Sequence, residues 1–295
     1  MGWPITASLS AAETAMIDRL LLCSDLDRTL LPNGAAPESP GARDLFGQLA
    51  GHPRVHLAYV SGRDLALVES AIAEYHLPQP HFVLGDVGAS MFQRKDGRWE
   101  RLEDWGRHIA ADWQGRAGRD LQEWLADIDD LTLQEETRQQ AHKLSYFTPA
   151  DIDSHWLRRV VKQRLEPRGI RSNLIWSLDE KDGKGLLDIL PQRAGKLEAV
   201  RFLMKKNGFS EENTLFAGDS GNDLDVMVSS LKSVLVANAR EAVRREALSG
   251  VANPETLYLA RGGFRDMNGN YSAGVLEGVD HFFPEFFQPP NPLTL

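Results

Sequence analysis

Residues 20–29, LLLCSDLDRT, decide the fold that the rest of the chain then supports. The apolar first half is typical of a buried strand, yet two carboxylates, Asp25 and Asp27, follow it one residue apart. Side chains two positions apart in an extended chain point to the same side, so these carboxylates would repel each other. Either a cation lies between them or one of them carries out chemistry.

The composition is that of an ordinary globular protein. Of the 295 residues 42% are hydrophobic and 25% are charged, and the net charge of -9 argues against a nucleic-acid partner, whose binding site is normally basic. The single cysteine, Cys23, has no disulfide partner in the chain, which fits the reducing cytoplasm where we expect the protein. No apolar stretch approaches the ~18 residues of a membrane span, so no membrane contact is expected.

Apolar strands alternate with amphipathic helical patterns in two zones of the chain. Because this alternation is typical of βαβ units, it predicts a parallel sheet in an α/β domain. We expect a discontinuous core domain over residues 19–86 and 192–287. An N-terminal extension (1–18) would precede it and a short tail (288–295) would follow it.

Residues 87–191 have a different, mixed α+β pattern and predict an inserted second domain. The inserted segment would begin with a hairpin whose turn is Asp96-Gly97, followed by a long helical stretch and further strands. Six of the seven tryptophans lie here, where they could stack on sugar rings or simply pack in a small core. They are Trp99, Trp105, Trp113, Trp124, Trp156 and Trp176.

Polar residues or glycines directly follow four of the predicted strands. Ligands of an open parallel sheet bind beyond the carboxyl ends of its strands, so the convergence of these four ends predicts a site. The residues are Asp25 with Asp27, Ser61 with Gly62 and Arg63, Gly85 with Asp86, and Gly218 with Asp219.

The segment GDSGND, residues 218–223, adds Asp223 to the predicted site. Asp25, the backbone carbonyl of Asp27, Asp219 and Asp223 would offer hard oxygen ligands, which suit Mg²⁺. Taken alone, the same segment is equally compatible with a helix N-cap turn.

Lys196 opens a predicted helix, where its charge opposes the helix dipole. Its position is explained if the ammonium reaches the acidic cluster and holds a phosphoryl oxygen. A solvated lysine is the alternative.

These motifs occur in the order found in the haloacid dehalogenase-like (HAD) phosphatases, which the chain resembles. The motifs on which this resemblance rests are DxDxT (Asp25, Asp27, Thr29), Ser61, Lys196 and GDxxxD (Asp219, Asp223). The resemblance implies an α/β fold: a Rossmann-like parallel-sheet core with an inserted α+β cap of type IIB (C2). Longer matches over residues 19–283 resemble the sucrose-phosphatase branch. They are SDLDRTLL, AYVSGRDL, HKLSYF, LDILPQRAGK, GDSGND and YSAGVLEGVDHF.

The resemblance also implies roles for the core residues. Asp25 would be the nucleophile that becomes an aspartyl phosphate, and Asp27 would be the general acid and base, with its pKa raised by its neighbour. Mg²⁺ would be held by Asp25, Asp27 and Asp219, with Asp223 and Asn222 ordering its water shell. The remaining roles are phosphate binding (Ser61, Gly62, Lys196) and support of the nucleophile loop (Thr29).

In the cap, Lys143 is the first candidate for contacts to sugar hydroxyls, followed by His142 and Ser145. The alternative is that these three residues form an ordinary face of the cap sheet.

The substrate implied by the resemblance is a sugar phosphate, with sucrose 6-phosphate first. Mannosylfructose phosphate and mannosyl-3-phosphoglycerate are close alternatives. A phosphomutase remains open, because mutases with this cap share the DxDxT motif. A third class is a non-catalytic partner of a sugar-phosphate synthase. The intact carboxylate motifs disfavour it, because an inactive partner would be expected to lose them. An active enzyme could still bind a synthase.

Overall fold

The computed structural model describes residues 17–179 and 182–288. The predicted extension and tail lie outside these residues, except for residues 17, 18 and 288. Within the described ranges no helix is both long and apolar enough to cross a membrane.

The strands and helices follow one another along the chain much as the hydrophobic pattern predicts. In the described part of the chain the strands are β1 (Leu20–Ser24), β2 (Val55–Val60), β3 (Phe82–Gly85), β4 (Ser90–Lys95), β5 (Arg98–Arg101), β6 (Thr132–Leu133), β7 (Leu144–Thr148), β8 (Ser172–Asp179), β9 (Lys184–Pro191), β10 (Thr214–Gly218), β11 (Lys232–Leu235) and β12 (Leu257–Leu259). The helices there are α1 (Ala42–Ala50), α2 (Leu65–Tyr75), α3 (Glu103–Ala110), α4 (Gly118–Gln122), α5 (Ser154–Leu165), α6 (Lys196–Asn207), α7 (Leu224–Met227), α8 (Glu241–Gly250) and α9 (Ser272–Phe282).

The larger sheet has the strand order β12-β11-β10-β1-β2-β3-β4-β5. The first six strands in this order are parallel. Every residue of β1 and β10 is buried, as expected for central strands of a parallel sheet covered on both faces. The predicted α/β core is confirmed.

Apolar side chains fill both faces of this sheet. On one face, Phe46 of α1 and Val275 and Val279 of α9 pack on the strands, while on the other Ala199 and Leu203 of α6 do so. The two helical layers fix the loops at the carboxyl ends of β1 and β10, where the predicted site lies.

The smaller sheet is antiparallel, with the order β6-β7-β9-β8. Helix α5 packs on it through Leu157, Val161 and Leu165, which are all fully buried. A helix layer on an antiparallel sheet is the α+β arrangement that the sequence predicts for the inserted segment.

The structure differs from the prediction at the Asp96-Gly97 hairpin. Strand β4 pairs antiparallel with β3, and β5 pairs antiparallel with β4, so both extend the larger sheet, although the sequence assigns them to the insert that begins at residue 87. Trp105 of α3 is also buried in the core of the larger sheet. We therefore propose that the inserted domain begins after α3, near residue 111.

Two further elements are shorter than predicted. The long helical stretch of the insert is broken after α3, where Gln114 has a positive φ of 54°. The helix predicted from Gly221 onward is only α7, one turn long.

Of the six tryptophans of residues 87–191, Trp113 packs in the cap core and Trp156 is 40% exposed.

Both chain crossings between the sheets meet at Asp112, which lies just after α3. The buried carboxylate of Asp112 accepts a hydrogen bond from the Arg193 backbone N–H at 2.8 Å and pairs with the Arg193 and Arg171 guanidinium groups. Burial raises the pKa of Asp112, but the hydrogen bonds and charge of these arginines outweigh that effect and hold it below its ordinary value. The ion-pair cluster fixes the connection between cap and core.

Candidate active site

Asp25 lies where β1 ends, against the neighbouring strand β10. Its backbone N–H donates to the Ala217 carbonyl at 2.9 Å, and its carboxylate accepts a hydrogen bond from Lys196 Nζ at 2.9 Å. Burial raises the pKa of Asp25 to about 7, even though the Lys196 ammonium lowers it. The side chain is therefore a buried carboxylate whose charge depends on neighbouring cations.

Lys196 is fully buried at the start of α6. Its ammonium donates to Asp25 Oδ1, to Asp223 Oδ1 at 2.6 Å and to Asn222 Oδ1 at 3.0 Å. Burial lowers the pKa of Lys196, but the Asp223 and Asp25 charges outweigh it and raise that pKa above its ordinary value. The ammonium thus remains charged and neutralises the acidic cluster. The alternative of a solvated lysine does not apply, since Lys196 is fully buried.

The GDSGND segment has both features that the sequence leaves open: it forms an N-terminal helical turn, and it brings Asp223 to the acidic cluster. Asp223 Oδ2 accepts hydrogen bonds from the backbone N–H groups of Asp219 and Ser220 at 3.2 and 3.1 Å, which is the N-terminal turn reading. The turn also carries Asp223 back over the end of β10, where a Cβ atom on Gly218 would lie 2.6 Å from the Asp223 carboxyl carbon. Glycine at position 218 is needed for this close approach.

Three buried carboxylates meet beside Lys196. Oxygen atoms of Asp25, Asp219 and Asp223 all lie within 4.8 Å of one another. Burial raises the pKa of Asp219 well above its ordinary value, and the Asp25 and Asp223 charges add to this effect. Close, buried carboxylates of this kind are stabilised by a divalent cation, and hard oxygen donors suit Mg²⁺. The residues therefore fit a metal ion.

The hydroxyl of Thr29 lies between two of these carboxylates. Its Oγ1 is 3.4 Å from Asp25 Oδ2 and 3.4 Å from Asp219 Oδ1. The side chain is fully buried, so it can orient both groups.

Asn222 accepts a further hydrogen bond from Ser220 at 3.0 Å, which holds its amide oxygen toward the Lys196 ammonium.

Asp27 faces the open side of the site. It receives two hydrogen bonds from Arg63, Nε to Oδ2 at 2.8 Å and Nη2 to Oδ1 at 2.7 Å, and one from Asn33 at 2.7 Å. Burial raises the pKa of Asp27, but the Arg63 and Asn33 contacts prevail and hold it below its ordinary value. The expectation of a raised pKa is wrong for this structure, because the bidentate guanidinium stabilises the ionised carboxylate.

Ser61 and Gly62 follow β2, which lies beside β1. Ser61 is fully buried, and its Oγ accepts a hydrogen bond from the Arg63 backbone N–H at 3.2 Å. Gly62 lines the crevice between the strand ends of the core and the cap sheet. Asp86, at the end of β3, is buried against the Ser90 hydroxyl at 2.7 Å and lies outside the residues that line this crevice.

A crevice of about 530 Å³ opens between the strand ends and the cap sheet. From the core it is lined by Asp25, Asp27, Gly62 and Arg63, and from the cap by polar and apolar side chains of β7, β8, β9 and the loop before β7. The cap residues of the lining include Gln134, Arg138, Lys143 and Asp188. The nucleophile candidate and a polar pocket thus share one cavity.

The three predicted cap residues have different surroundings. Lys143 lines the crevice with its ammonium 3.7 Å from Asp188 Oδ1. Ser145 is buried and donates a hydrogen bond to Asp188. His142 packs edge-on against the Trp113 ring, with 6.0 Å between the ring centroids. The structure brings Lys143 to the cavity, makes Ser145 a support for Asp188, and leaves His142 partly buried against Trp113.

Sequence reasoning missed several residues that line the crevice. Arg63 stands among the strand-end residues, yet nothing in the sequence shows that its side chain reaches Asp27. Arg138 and Asp188 lie far apart in the chain, and only the pairing of β7 with β9 brings Asp188 beside Ser145. The sequence offers one signal for Asp188: it lies between the apolar residues Leu187 and Ile189, which pack in the cap core, so alternation along the strand turns its side chain to the opposite face.

The fold and the site together define a phosphatase of the HAD superfamily with a type-IIB cap, as the sequence motifs indicate. The chain belongs to the sucrose-6F-phosphate phosphohydrolase family, whose model matches residues 18–283. It is therefore a phosphoric monoester hydrolase.

Relatives and solved structures agree with this membership. A putative HAD-like hydrolase of Nitrosococcus oceani is 53% identical over 92% of this chain and 73% of its own length. Sucrose-phosphatase 1 of Nicotiana tabacum is 28% identical over 90% of this chain, which spans only 59% of the tobacco protein. The sucrose-phosphatase of Synechocystis, solved in complex with sucrose and phosphate, superposes with a TM-score of 0.74 at 25% identity, covering 90% of this chain and 98% of that one.

Proposed function

We propose that the protein is a Mg²⁺-dependent phosphatase that hydrolyses sucrose 6-phosphate to sucrose and phosphate through an aspartyl phosphate. The observation that carries the proposal is the buried carboxylate of Asp25, which opens onto a polar crevice while Lys196 and two further carboxylates lie beside it. The likeness to the Synechocystis protein, which was solved with sucrose and phosphate, supports the choice of sugar.

In the first displacement an Asp25 oxygen attacks phosphorus and the bond from phosphorus to the sugar oxygen breaks. Asp27 gives its proton to the departing sugar oxygen. In the second displacement a water oxygen attacks the same phosphorus, Asp27 accepts the proton of that water, and the bond from phosphorus to Asp25 breaks. Free phosphate leaves with Asp25 restored.

Asp27 is held ionised by Arg63 in this structure, which suits the second step. The first step needs a protonated Asp27. We propose that substrate binding weakens the Arg63 contact, because the phosphoryl group offers the guanidinium a more strongly charged partner.

Lys196 would stabilise the transferring phosphoryl oxygens, whose negative charge grows close to Asp25. Its ammonium already touches the nucleophile, so it can follow the charge from carboxylate to phosphoryl group without leaving its place. Bound Mg²⁺ would supply additional positive charge for the phosphoryl oxygens. Asp25, Asp219 and Asp223, with the Asp27 carbonyl, are the proposed ligands.

The cap side of the crevice would recognise the sugar. Lys143 and Asp188 form a weak ion pair at 3.7 Å that presents both donors and acceptors. Sugar hydroxyl groups need such mixed partners. Ser145 would keep Asp188 oriented.

The experiment is phosphate release from a panel of sugar phosphates, each with Mg²⁺ and with EDTA. The panel contains sucrose 6-phosphate, mannosylfructose phosphate, mannosyl-3-phosphoglycerate, glucose 6-phosphate and fructose 6-phosphate. We expect Mg²⁺-dependent release with a strong preference for sucrose 6-phosphate. Preference for another glycosyl phosphate would overturn the choice of sugar, and conversion of a sugar phosphate into its isomer without phosphate release would overturn hydrolysis in favour of a mutase.

A further inference from the structure

One charged side chain of the nucleophile loop has no part in the reaction proposed above. Arg28 lies between Asp27 and Thr29, and its Nε is 3.2 Å from Asp219 Oδ2. The Arg28 side chain is 28% exposed, whereas that of Asp219 is 4% exposed. A partly solvated cation therefore pairs with one carboxylate of the three that would hold the metal.

The backbone of Arg28 is fixed in an uncommon conformation. Its φ of 59° is left-handed, which costs a residue other than glycine about 1 kcal/mol. Two side-chain amides hold it there: Asn33 accepts from its N–H at 2.9 Å, and Asn238 donates to its carbonyl at 2.7 Å. Asn238 is itself held by the Tyr271 N–H at 2.8 Å. The loop is thus built to direct this side chain toward Asp219.

The two cations beside the three carboxylates contact different members of the cluster. Lys196 donates hydrogen bonds to Asp25 and Asp223, while Arg28 is the cation in the ion pair with Asp219. Both cations lower the pKa of Asp219, and the effect of Arg28 is larger than that of Lys196. Arg28 therefore supplies the local counter-charge of Asp219.

We propose that Arg28 restrains the affinity of this site for divalent cations by competing for Asp219. The proposal rests on the metal site of the proposed function. A cation that binds Asp219 must displace the guanidinium or bind beside its positive charge, and either course opposes metal binding. Lys196 is fully buried, whereas the Arg28 side chain is 28% exposed, so Arg28 is the cation that can turn toward solvent when a metal ion binds.

The test compares metal affinities of four proteins without substrate. Arg28→Gln removes the charge but keeps a long polar side chain at the same left-handed position. Arg28→Lys keeps the charge. Arg158→Gln is the matched control, because Arg158 of α5 lines a second cavity that also contains Arg28 and Asp219 and the change removes an equal charge. Mn²⁺ alone is the probe, and free Mn²⁺ is measured by electron paramagnetic resonance during titration.

Arg28→Gln is expected to bind Mn²⁺ about tenfold more tightly than the wild type, as loss of one nearby, partly screened positive charge implies. Arg28→Lys and Arg158→Gln should stay within about threefold of the wild type, and the gain should shrink at high salt. A second readout is the unfolding temperature, which Mn²⁺ should raise further in Arg28→Gln than in the wild type.

Unchanged or weaker Mn²⁺ binding by Arg28→Gln, with an unfolding temperature like that of the wild type in EDTA, would overturn the role of Arg28 alone. A wild-type protein that binds no Mn²⁺ would overturn the proposed metal site as well. Equal tightening in Arg28→Gln and Arg158→Gln would show a general charge effect and would also overturn the proposal.

Discussion

Replacing Lys196 with methionine should destabilise the protein more than any other single lysine change. Methionine has a similar volume, so the change removes the charge and its three hydrogen bonds with little loss of packing. Asp25 and Asp223 then remain buried without their counter-charge. Breaking a buried ion pair from one side costs about 3–5 kcal/mol, and we expect that loss in the free energy of unfolding.

The assay is urea unfolding at neutral pH in EDTA, with Lys206→Met as the control. Lys206 belongs to the same helix, and its ammonium is 2.7 Å from Asp104 Oδ2. Both side chains are more than a third exposed, Lys206 at 34% and Asp104 at 40%. Exposed pairs contribute below about 1 kcal/mol. A loss in Lys196→Met no larger than that in Lys206→Met would refute the electrostatic account of the site.

The loss should depend on pH in a direction that the structure fixes. Without the ammonium, the pKa of Asp25 rises beyond about 7, above its ordinary value in the unfolded chain. In the wild type the folded state keeps a proton on Asp25 up to about pH 7, and the variant keeps it to higher pH. The stability of the variant relative to the wild type therefore falls as the pH rises above about 7. Lys196→Met should therefore be closest to the wild type at mildly acid pH, and a loss that grows toward acid pH would contradict the reasoning.

Three further changes test other parts of the site. Arg63→Lys should lower kcat about tenfold or more, since one ammonium cannot replace the bidentate contact that orients Asp27; a wild-type kcat would remove Arg63 from the mechanism. Lys143→Ala should raise KM for the sugar phosphate far more than for a small aryl phosphate, and equal effects would place Lys143 outside the sugar pocket. Asp112→Asn should cost about 1–3 kcal/mol of stability by unpairing the cap connection, measured by thermal unfolding, whereas Asp127→Asn at an exposed ion pair should leave it unchanged.

The convergence of the core motifs could be predicted from the sequence because parallel strands impose it. Leu22 pairs with Leu215 and Ser24 with Ala217, so the residues that follow β1 and β10 must meet at one edge of the sheet. Short apolar runs ending in carboxylates are enough to find this edge. Position in the chain does not matter, since the register of neighbouring strands brings Asp25 and Asp219 together.

Other features could not be predicted because they depend on which surfaces meet. The Asp96-Gly97 turn signals a hairpin, but a hairpin pattern does not indicate which sheet it joins, and β4 pairs with β3. The direction of the Asp27 pKa depends on the reach of a flexible arginine across the site. His142 and Lys143 are adjacent in the chain but have different surroundings, because they belong to the turn that leads into β7, where strand alternation cannot be used to assign a face.

The central claim is that Asp25 carries the phosphoryl group, and rapid acid quenching with mass spectrometry tests it most directly. Asp27→Asn is mixed with a small aryl phosphate and Mg²⁺, because an aryl oxygen leaves without a proton from Asp27, whereas attack of water on the intermediate still needs this carboxylate. We predict that the peptide containing residues 20–29 gains one phosphoryl group, that the group is on Asp25, and that Asp25→Asn abolishes both label and turnover. Turnover by Asp25→Asn, or a label on another residue, would contradict the account.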